Sequence, residues 1–168
     1  MTAVSIYALI PLFPLAAALT LALFGTRLEG LGHRIVIPAV AASFVLSVAV
    51  FMDVAANGAI EIQLYRMFDV GQLQVDVGFF IDRLTVLLLL LVTGVSTIVQ
   101  VYASRYMVGD ARHSRFFALT ALFTGAMTVL VMSSNLLLTF IFWEVMGLCS
   151  YLLVSHYAER PSAARAAT

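Results

Sequence analysis

Long apolar runs separated by short polar segments dominate the pattern of this chain. Stretches of about 20 apolar residues, the length that crosses roughly 30 Å of hydrocarbon as an α-helix, fit the sequence five times. They cover residues 5–24, 35–54, 84–103, 116–132 and 136–154. The pattern therefore predicts an all-α polytopic membrane protein with five transmembrane helices.

The segment between the second and third stretches has a different period. Apolar and polar residues alternate from Ile60 to Leu64 and again from Leu73 to Phe79, on either side of Gly71. A period of two around a glycine-containing turn predicts a β-hairpin over residues 60–80. We expect it to form a lid on the outer surface of the helices or against a neighbouring subunit. Four acids of this region are expected to face water: Glu61, Asp69, Asp76 and Asp82.

Composition supports a membrane location and excludes several function classes. Of the 168 residues 62% are hydrophobic and 11% are charged, against roughly 45–50% and 25% in soluble domains. The net charge is zero, so no basic patch for nucleic acid is expected. The single cysteine, Cys149, excludes an internal disulfide, and His33, His113 and His156 lack metal-ligand spacing. The first expected partner is the lipid bilayer.

Arginine placement predicts the orientation, because basic residues that flank membrane helices are retained in the cytoplasm. Seven arginines lie in the first loop, the third loop and the tail: Arg27, Arg34, Arg105, Arg112, Arg115, Arg160 and Arg165. Only Arg66 and Arg83 lie on the other side. This predicts an N-terminus outside and a cytoplasmic C-terminus. A cleavable signal peptide is disfavoured, since residues 1–7 carry no positive charge.

Glu144 is the most informative residue of the fifth stretch. It lies eight residues after Leu136, about 12 Å into the hydrocarbon layer at a rise of about 1.5 Å per residue. A carboxylate near mid-membrane costs about 2.5–3.5 kcal/mol, so such residues usually face a bundle interior, a cavity or a cation. The chain has no lysine. Two interpretations stay open: a proton relay, or a buried, protonated structural acid.

Other polar and small residues of the predicted helices and their ends are weaker candidates for a functional role. Gly147 lies on the helical face of Glu144 and would allow close helix contact. His156 could pass protons between Glu144 and the cytoplasm, although a histidine at the membrane surface is more often solvated. Ala121 and Gly125 form a small-xxx-small pair typical of helix packing. Several hydroxyls could line a polar seam or bond back to their own helix: Thr93, Ser96, Thr97, Thr120, Thr124 and Thr128.

Two groups of motifs resemble a known family. The run from Asn135 through Trp143-Glu144 to the segments 147–153 and 159–164 closely resembles the start of the antiporter-like core in subunit L (chain 5) of proton-pumping NADH:quinone oxidoreductase, respiratory complex I. The segments 81–84, 92–96, 102–107 and 114–117 look like the N-terminal region of the same subunit. The first two apolar stretches resemble the family only as apolar helices and not through a specific motif.

The resemblance implies a role for Glu144 in proton translocation, working with a lysine on a later helix beyond Thr168. It implies two N-terminal helices in residues 1–59, the hairpin in 60–80, helices three and four in 81–132 and the truncated start of the antiporter-like core in 133–168. FMN, iron–sulfur clusters and quinone would belong to other subunits, with none of these cofactors in this chain. The implied partners are the other membrane subunits and protons, in the cell inner (plasma) membrane.

Three functions are carried forward from the sequence. The first is the N-terminal part of a proton-translocating subunit of NADH:quinone oxidoreductase. The second is a subunit of a related cation/proton antiporter or inorganic-carbon uptake complex. The third is a non-conducting structural membrane subunit, in which Glu144 is only a hydrogen-bonding acid.

Overall fold

A computed structural model describes residues 3–28, 30–70, 73–110 and 112–157, with side chains except in 3–5, 67–70 and 73–75. Five helices are long and apolar enough to cross a membrane, which confirms the prediction from the hydrophobic pattern. The elements in chain order are α1 (Ala3–Phe24), α2 (Gly32–Asn57), β1 (Ile60–Val70), β2 (Leu73–Ile81), α3 (Arg83–Tyr106), α4 (His113–Met132) and α5 (Leu136–Val154), followed by a 3₁₀ turn (Ser155–Tyr157). The segment from Pro161 to Thr168, where a proline in the first turn favours the start of another helix, lies outside the described residues.

The predicted hairpin is present as an antiparallel pair between β1 and β2. The register shifts twice, once between Gln63 and Tyr65 and once between Arg66 and Phe68. The first shift falls at Leu64, which is 43% exposed although Ile62 on the same strand is buried. A β-bulge adds one unpaired residue and so breaks the strict alternation that the sequence suggested.

The four acids of this region do not share one environment. Glu61 is exposed, as expected. Asp76 accepts a hydrogen bond at 3.1 Å from Nε of Arg66, and Asp82 caps α3 by accepting a hydrogen bond at 2.8 Å from the backbone N–H of Thr85. Asp76 and Asp82 are thus partly exposed, and each also accepts a hydrogen bond from another residue of the chain. The side chain of Asp69 lies outside the described part.

α4 is the central helix of the bundle. It packs against α1, α3 and α5, and α2 packs against α1 and α3. We call the end of the bundle that carries the hairpin the hairpin end and the opposite end the far end. One apolar cluster lies under the hairpin, around Ile10, Val54 and Ile81, and a second lies toward the far end, around Leu21 and Phe117.

The contact between α1 and α4 depends on a glycine. A Cβ atom placed on Gly125 would lie 2.6 Å from Cδ2 of Leu15 and 2.7 Å from its Cγ. Ala121, one turn away, is fully buried. The small-xxx-small pair is thus a helix-packing face, as the sequence predicted.

Candidate functional site on the fifth helix

Glu144 lies on the exposed face of α5. The helix begins at Leu136, as predicted, which keeps Glu144 about 12 Å along the helix from that end. Its neighbours on this face are also exposed: Phe140 by 55%, Trp143 by 64% and Leu148 by 55%. The side chain makes no hydrogen bond or ion pair with another described residue. The expectation that it faces the interior of a bundle is not met within these five helices.

The reason is that α5 packs on α4 through its opposite side. Of the 19 residues of α5, only Leu138 and Cys149 are buried. Cys149 is fully buried. Gly147 differs from its prediction: a Cβ atom there would meet no atom within 4 Å. The close helix contact expected at Gly147 is therefore absent from the described part of the chain.

The hairpin end of α5 is fixed to β2. Asn135 caps the helix by accepting a hydrogen bond at 2.8 Å from the backbone N–H of Leu138, while its Nδ2 donates to the carbonyl of Asp76 at 2.6 Å. The N–H of Ser134 donates to the carbonyl of Gly78 at 3.2 Å. These bonds join the turn between α4 and α5 to the hairpin, and so they set where α5 begins.

The far end of α5 is joined to the loop between α3 and α4 by four residues, which we call the Asp110 cluster: Asp110, Arg112, His156 and Tyr157. The Asp110 carboxylate accepts hydrogen bonds from the Tyr157 hydroxyl at 2.7 Å and from the Arg112 backbone N–H at 2.7 Å. Nε2 of His156 lies 3.3 Å from the same carboxylate. The Arg112 guanidinium donates to the His156 carbonyl at 2.8 Å.

The electrostatics of Asp110 follow from these contacts. Burial raises the pKa of its carboxyl, but the hydrogen bonds from Tyr157, Arg112 and His156 have the larger combined effect. Together they hold the pKa of Asp110 below its ordinary value. Asp110 is therefore ionised at neutral pH and acts as an acceptor for all three donors.

His156 is buried, with 4% of its surface exposed. The interpretation of a simply solvated histidine is therefore wrong, because Asp110 and the ring of Phe116 enclose it. His156 lies twelve residues beyond Glu144, which corresponds to about 18 Å along helical backbone. Its role as a proton relay stays a prediction.

The hydroxyl residues combine both arrangements that the sequence left open. Most bond to a carbonyl of their own helix, as Thr93 does to Leu89 at 2.6 Å and Thr97 does to Thr93 at 2.7 Å. Two contacts cross between helices: the hydroxyls of Ser96 and Thr124 lie 2.5 Å apart, and the Thr93 hydroxyl donates to that of Ser47 in α2 at 3.5 Å. The polar seam is thus mainly internal to each helix, with links from α3 to α4 and to α2.

Sequence reasoning missed three polar residues that the structure places in defined roles. Asp110 precedes Arg112 by two residues, and in a turn an aspartate side chain often accepts a hydrogen bond from the backbone N–H two residues later. Asn135 immediately precedes an apolar run, which is a helix-start signal. Asp53 lies near the hairpin end of α2, where the Tyr7 hydroxyl and Nδ2 of Asn57 donate to its carboxylate. The first two had a local signal, whereas the contact with Tyr7 spans two helices and had none.

Comparison with known proteins places this arrangement in a family. The model of the N-terminal region of chain 5 of NADH-ubiquinone oxidoreductase (complex I) matches residues 67–117. Subunit L of the F420H2 dehydrogenase of Methanosarcina mazei is 44% identical over 160 residues, which cover 95% of this chain and 23% of that protein. Subunit L of the NADH-quinone oxidoreductase of Neisseria meningitidis serogroup B is 39% identical over 168 residues, covering 97% of this chain and 25% of that protein. The chain belongs to the family of complex I subunit L, also called chain 5.

Further comparisons show how much of the related proteins this chain covers. Subunit 5 of a chloroplast NAD(P)H-quinone oxidoreductase from Adiantum capillus-veneris is 37% identical over 165 residues, which cover 94% of this chain and 23% of that protein. A chain of membrane-bound sulfane sulfur reductase, an archaeal respiratory membrane complex, shares the fold with a TM-score of 0.78 at 17% identity, covering 96% of this chain and 32% of that one. This chain therefore spans about a quarter of the length of its curated relatives. Its family is that of an antiporter-like membrane subunit of an oxidoreductase complex.

Proposed function

We propose that this chain forms the N-terminal part of a proton-translocating membrane subunit of NADH:quinone oxidoreductase, and that Glu144 carries the proton. The observation that supports this most is the position of one carboxyl group on a helix with no other charged residue, at membrane depth and without a partner among the described residues. Inserting a carboxyl group into a membrane costs free energy, and packing alone rarely requires such a group. An intramembrane acid is therefore taken as functional by default.

The exposed face of α5 suggests how the proton is controlled. An unpaired carboxyl group in a medium of low polarity is driven toward its neutral form, whereas an approaching cation favours the ionised form. The sequence supplies no lysine, and the described arginines lie in loops, at helix ends or, for Arg66, in strand β1. The charge of Glu144 would thus depend on a basic group from another part of the subunit that comes near α5 and withdraws again.

The wider assignment includes the orientation, the location and the cofactors. Five arginines lie at the far end of the described helices and two at the hairpin end, which supports a cytoplasmic far end and an N-terminus outside in the inner membrane. FMN, iron–sulfur clusters and quinone would bind to other subunits. Among the described residues, no group of three His, Cys, Asp or Glu side chains could hold a metal ion.

The identity of the electron donor is a separate part of the proposal. NADH is named for several relatives, but the relative from Methanosarcina mazei belongs to an F420H2 dehydrogenase. A membrane subunit of this kind can therefore belong to complexes that oxidise different electron donors. This fits the proposal that the chain itself takes part in proton movement rather than in oxidation of the donor.

Replacing Glu144 tests the proposal. In the assembled complex, Glu144→Gln removes the titratable proton at nearly constant volume, so we expect fewer protons moved per electron pair. Glu144→Asp retains the acid and is expected to retain part of the pumping. Glu61→Gln is the matched control, since Glu61 is an exposed acid on the hairpin. Unchanged pumping in an assembled Glu144→Gln complex would favour the structural function instead.

A further inference from the structure

We infer that Asp110 is a positioning residue that holds the far end of α5, and with it Glu144, against the rest of the bundle. The effect on proton movement rests on the proposed function of Glu144, whereas the holding of the helix does not. Three donors converge on this carboxylate, and two of them, His156 and Tyr157, lie directly after α5. The third, the Arg112 N–H, lies at the start of α4.

α5 depends on its two ends because few of its residues are buried. Leu138, near the hairpin end, and Cys149, toward the far end, are the only buried residues of the helix. The Asn135 contacts fix the hairpin end to β2. Apolar burial of about 25 cal/mol per Å² is the usual force that seats a helix, and between Leu138 and Cys149 it is only the partly buried Phe142 of α5 that packs against an apolar cluster. Hydrogen bonds at the far end therefore have a large share in fixing its tilt.

The chemistry of the cluster requires an anion at position 110. The hydroxyl of Tyr157, the Arg112 N–H and the His156 ring all approach as donors, so an acceptor with several lone pairs satisfies them together. Asparagine would replace one acceptor oxygen by an amide that itself donates, which opposes a neighbouring donor. Two further groups among the described residues bear on this carboxylate: the Arg112 guanidinium, which bonds the His156 carbonyl, and the ring of His113, on which the Asp110 charge acts.

Movement at the far end would reach Glu144 through the helix. Glu144 lies ten residues before Val154, about 15 Å along the axis. A helix fixed only at the hairpin end would tilt about the Asn135 contacts, and Glu144 would be displaced by a fraction of the movement at its far end. The Asp110 cluster would thus set the distance between the carboxyl group of Glu144 and a basic partner that approaches it.

Cys149 provides a natural reporter of this seating. It is fully buried on the side of α5 that faces α4, and it lies seven residues before His156. We would measure the alkylation rate of Cys149 by N-ethylmaleimide in native membranes, by mass spectrometry of its peptide. Asp110→Asn is expected to raise this rate several-fold, Tyr157→Phe to raise it less, and Glu61→Gln to leave it unchanged.

The outcomes separate this inference from the proposed function. An assembled Asp110→Asn complex in which Cys149 reacts at the original rate overturns the inference, whatever the pumping shows. If Asp110→Asn fails to assemble, Tyr157→Phe carries the test, because it removes one donor and leaves the carboxylate in place. Faster alkylation, with a loss of protons per electron pair larger than the loss of quinone reduction, supports the inference and its link to Glu144. Faster alkylation with unaltered pumping retains the positioning role and contradicts the link.

Discussion

The substitution Gly125→Ala tests the packing between α1 and α4. The added Cβ would lie 2.6 Å from Cδ2, 2.7 Å from Cγ and 3.3 Å from the backbone nitrogen of Leu15. Carbon atoms are not in favourable contact until about 3.5–4.0 Å, so Leu15 would have to move by roughly 1 Å. Overpacking of this kind costs about 1–3 kcal/mol. The gain in helix propensity on replacing glycine by alanine, about 1 kcal/mol, offsets part of this cost.

The same substitution at Gly147 is the matched control. It brings the same gain in propensity, but no atom lies within 4 Å of its added Cβ. The difference in unfolding free energy between the two variants therefore isolates the packing cost of about 1–3 kcal/mol. We would follow thermal unfolding of the purified chain in detergent by circular dichroism, where 1 kcal/mol corresponds to about 2–4 °C in Tm for a chain of this size. Equal Tm values for Gly125→Ala and Gly147→Ala would refute the close contact.

Two further substitutions test the ends of the helices. Asn135→Ala should lower the unfolding free energy by about 2 kcal/mol, because it removes a helix cap of about 1 kcal/mol and a hydrogen bond of about 1 kcal/mol. Asn135→Asp keeps the capping acceptor, so it should lower the unfolding free energy by only about 1 kcal/mol. A smaller loss of stability for alanine than for aspartate would contradict this account of Asn135. At Asp82, hydrogen bonds from the Thr85 backbone and side chain hold the pKa of the carboxyl below 3.8. The stabilisation by this cap is therefore complete above the ordinary pKa and is lost as the pH falls through the lower value in the folded state. Asp82→Ala should thus destabilise at about pH 7 by about 1 kcal/mol and progressively less below about pH 4, and a difference that grows on acidification would exclude the cap as its cause.

The number and extent of the helices could be predicted because each apolar run is bounded by polar or charged residues. α5 begins and ends where the hydrophobic pattern placed it, from Leu136 to Val154. The hairpin followed equally from its period of two. These features are local in the chain, and the hydrophobic length that spans a bilayer constrains them strongly.

The environment of each polar side chain could not be predicted, because it depends on which helices are neighbours. The depth of Glu144 follows from helical rise alone, but its exposure depends on α5 packing only through the side that carries Cys149. Likewise, His156 is buried because the loop residue Asp110 reaches it from 46 positions away. The absence of close contact at Gly147 has the same origin. A single sequence holds no direct signal for such pairings.

The most direct test of the central claim is to observe the proton on Glu144 itself. Infrared difference spectra of the complex during turnover, compared between the original protein and Glu144→Gln, would isolate the carbonyl stretch of that carboxylic acid. We predict a band that appears and disappears with turnover in the original protein and is missing from the variant. A carbonyl band of Glu144 that stays constant throughout turnover would contradict the claim that this residue carries a transported proton.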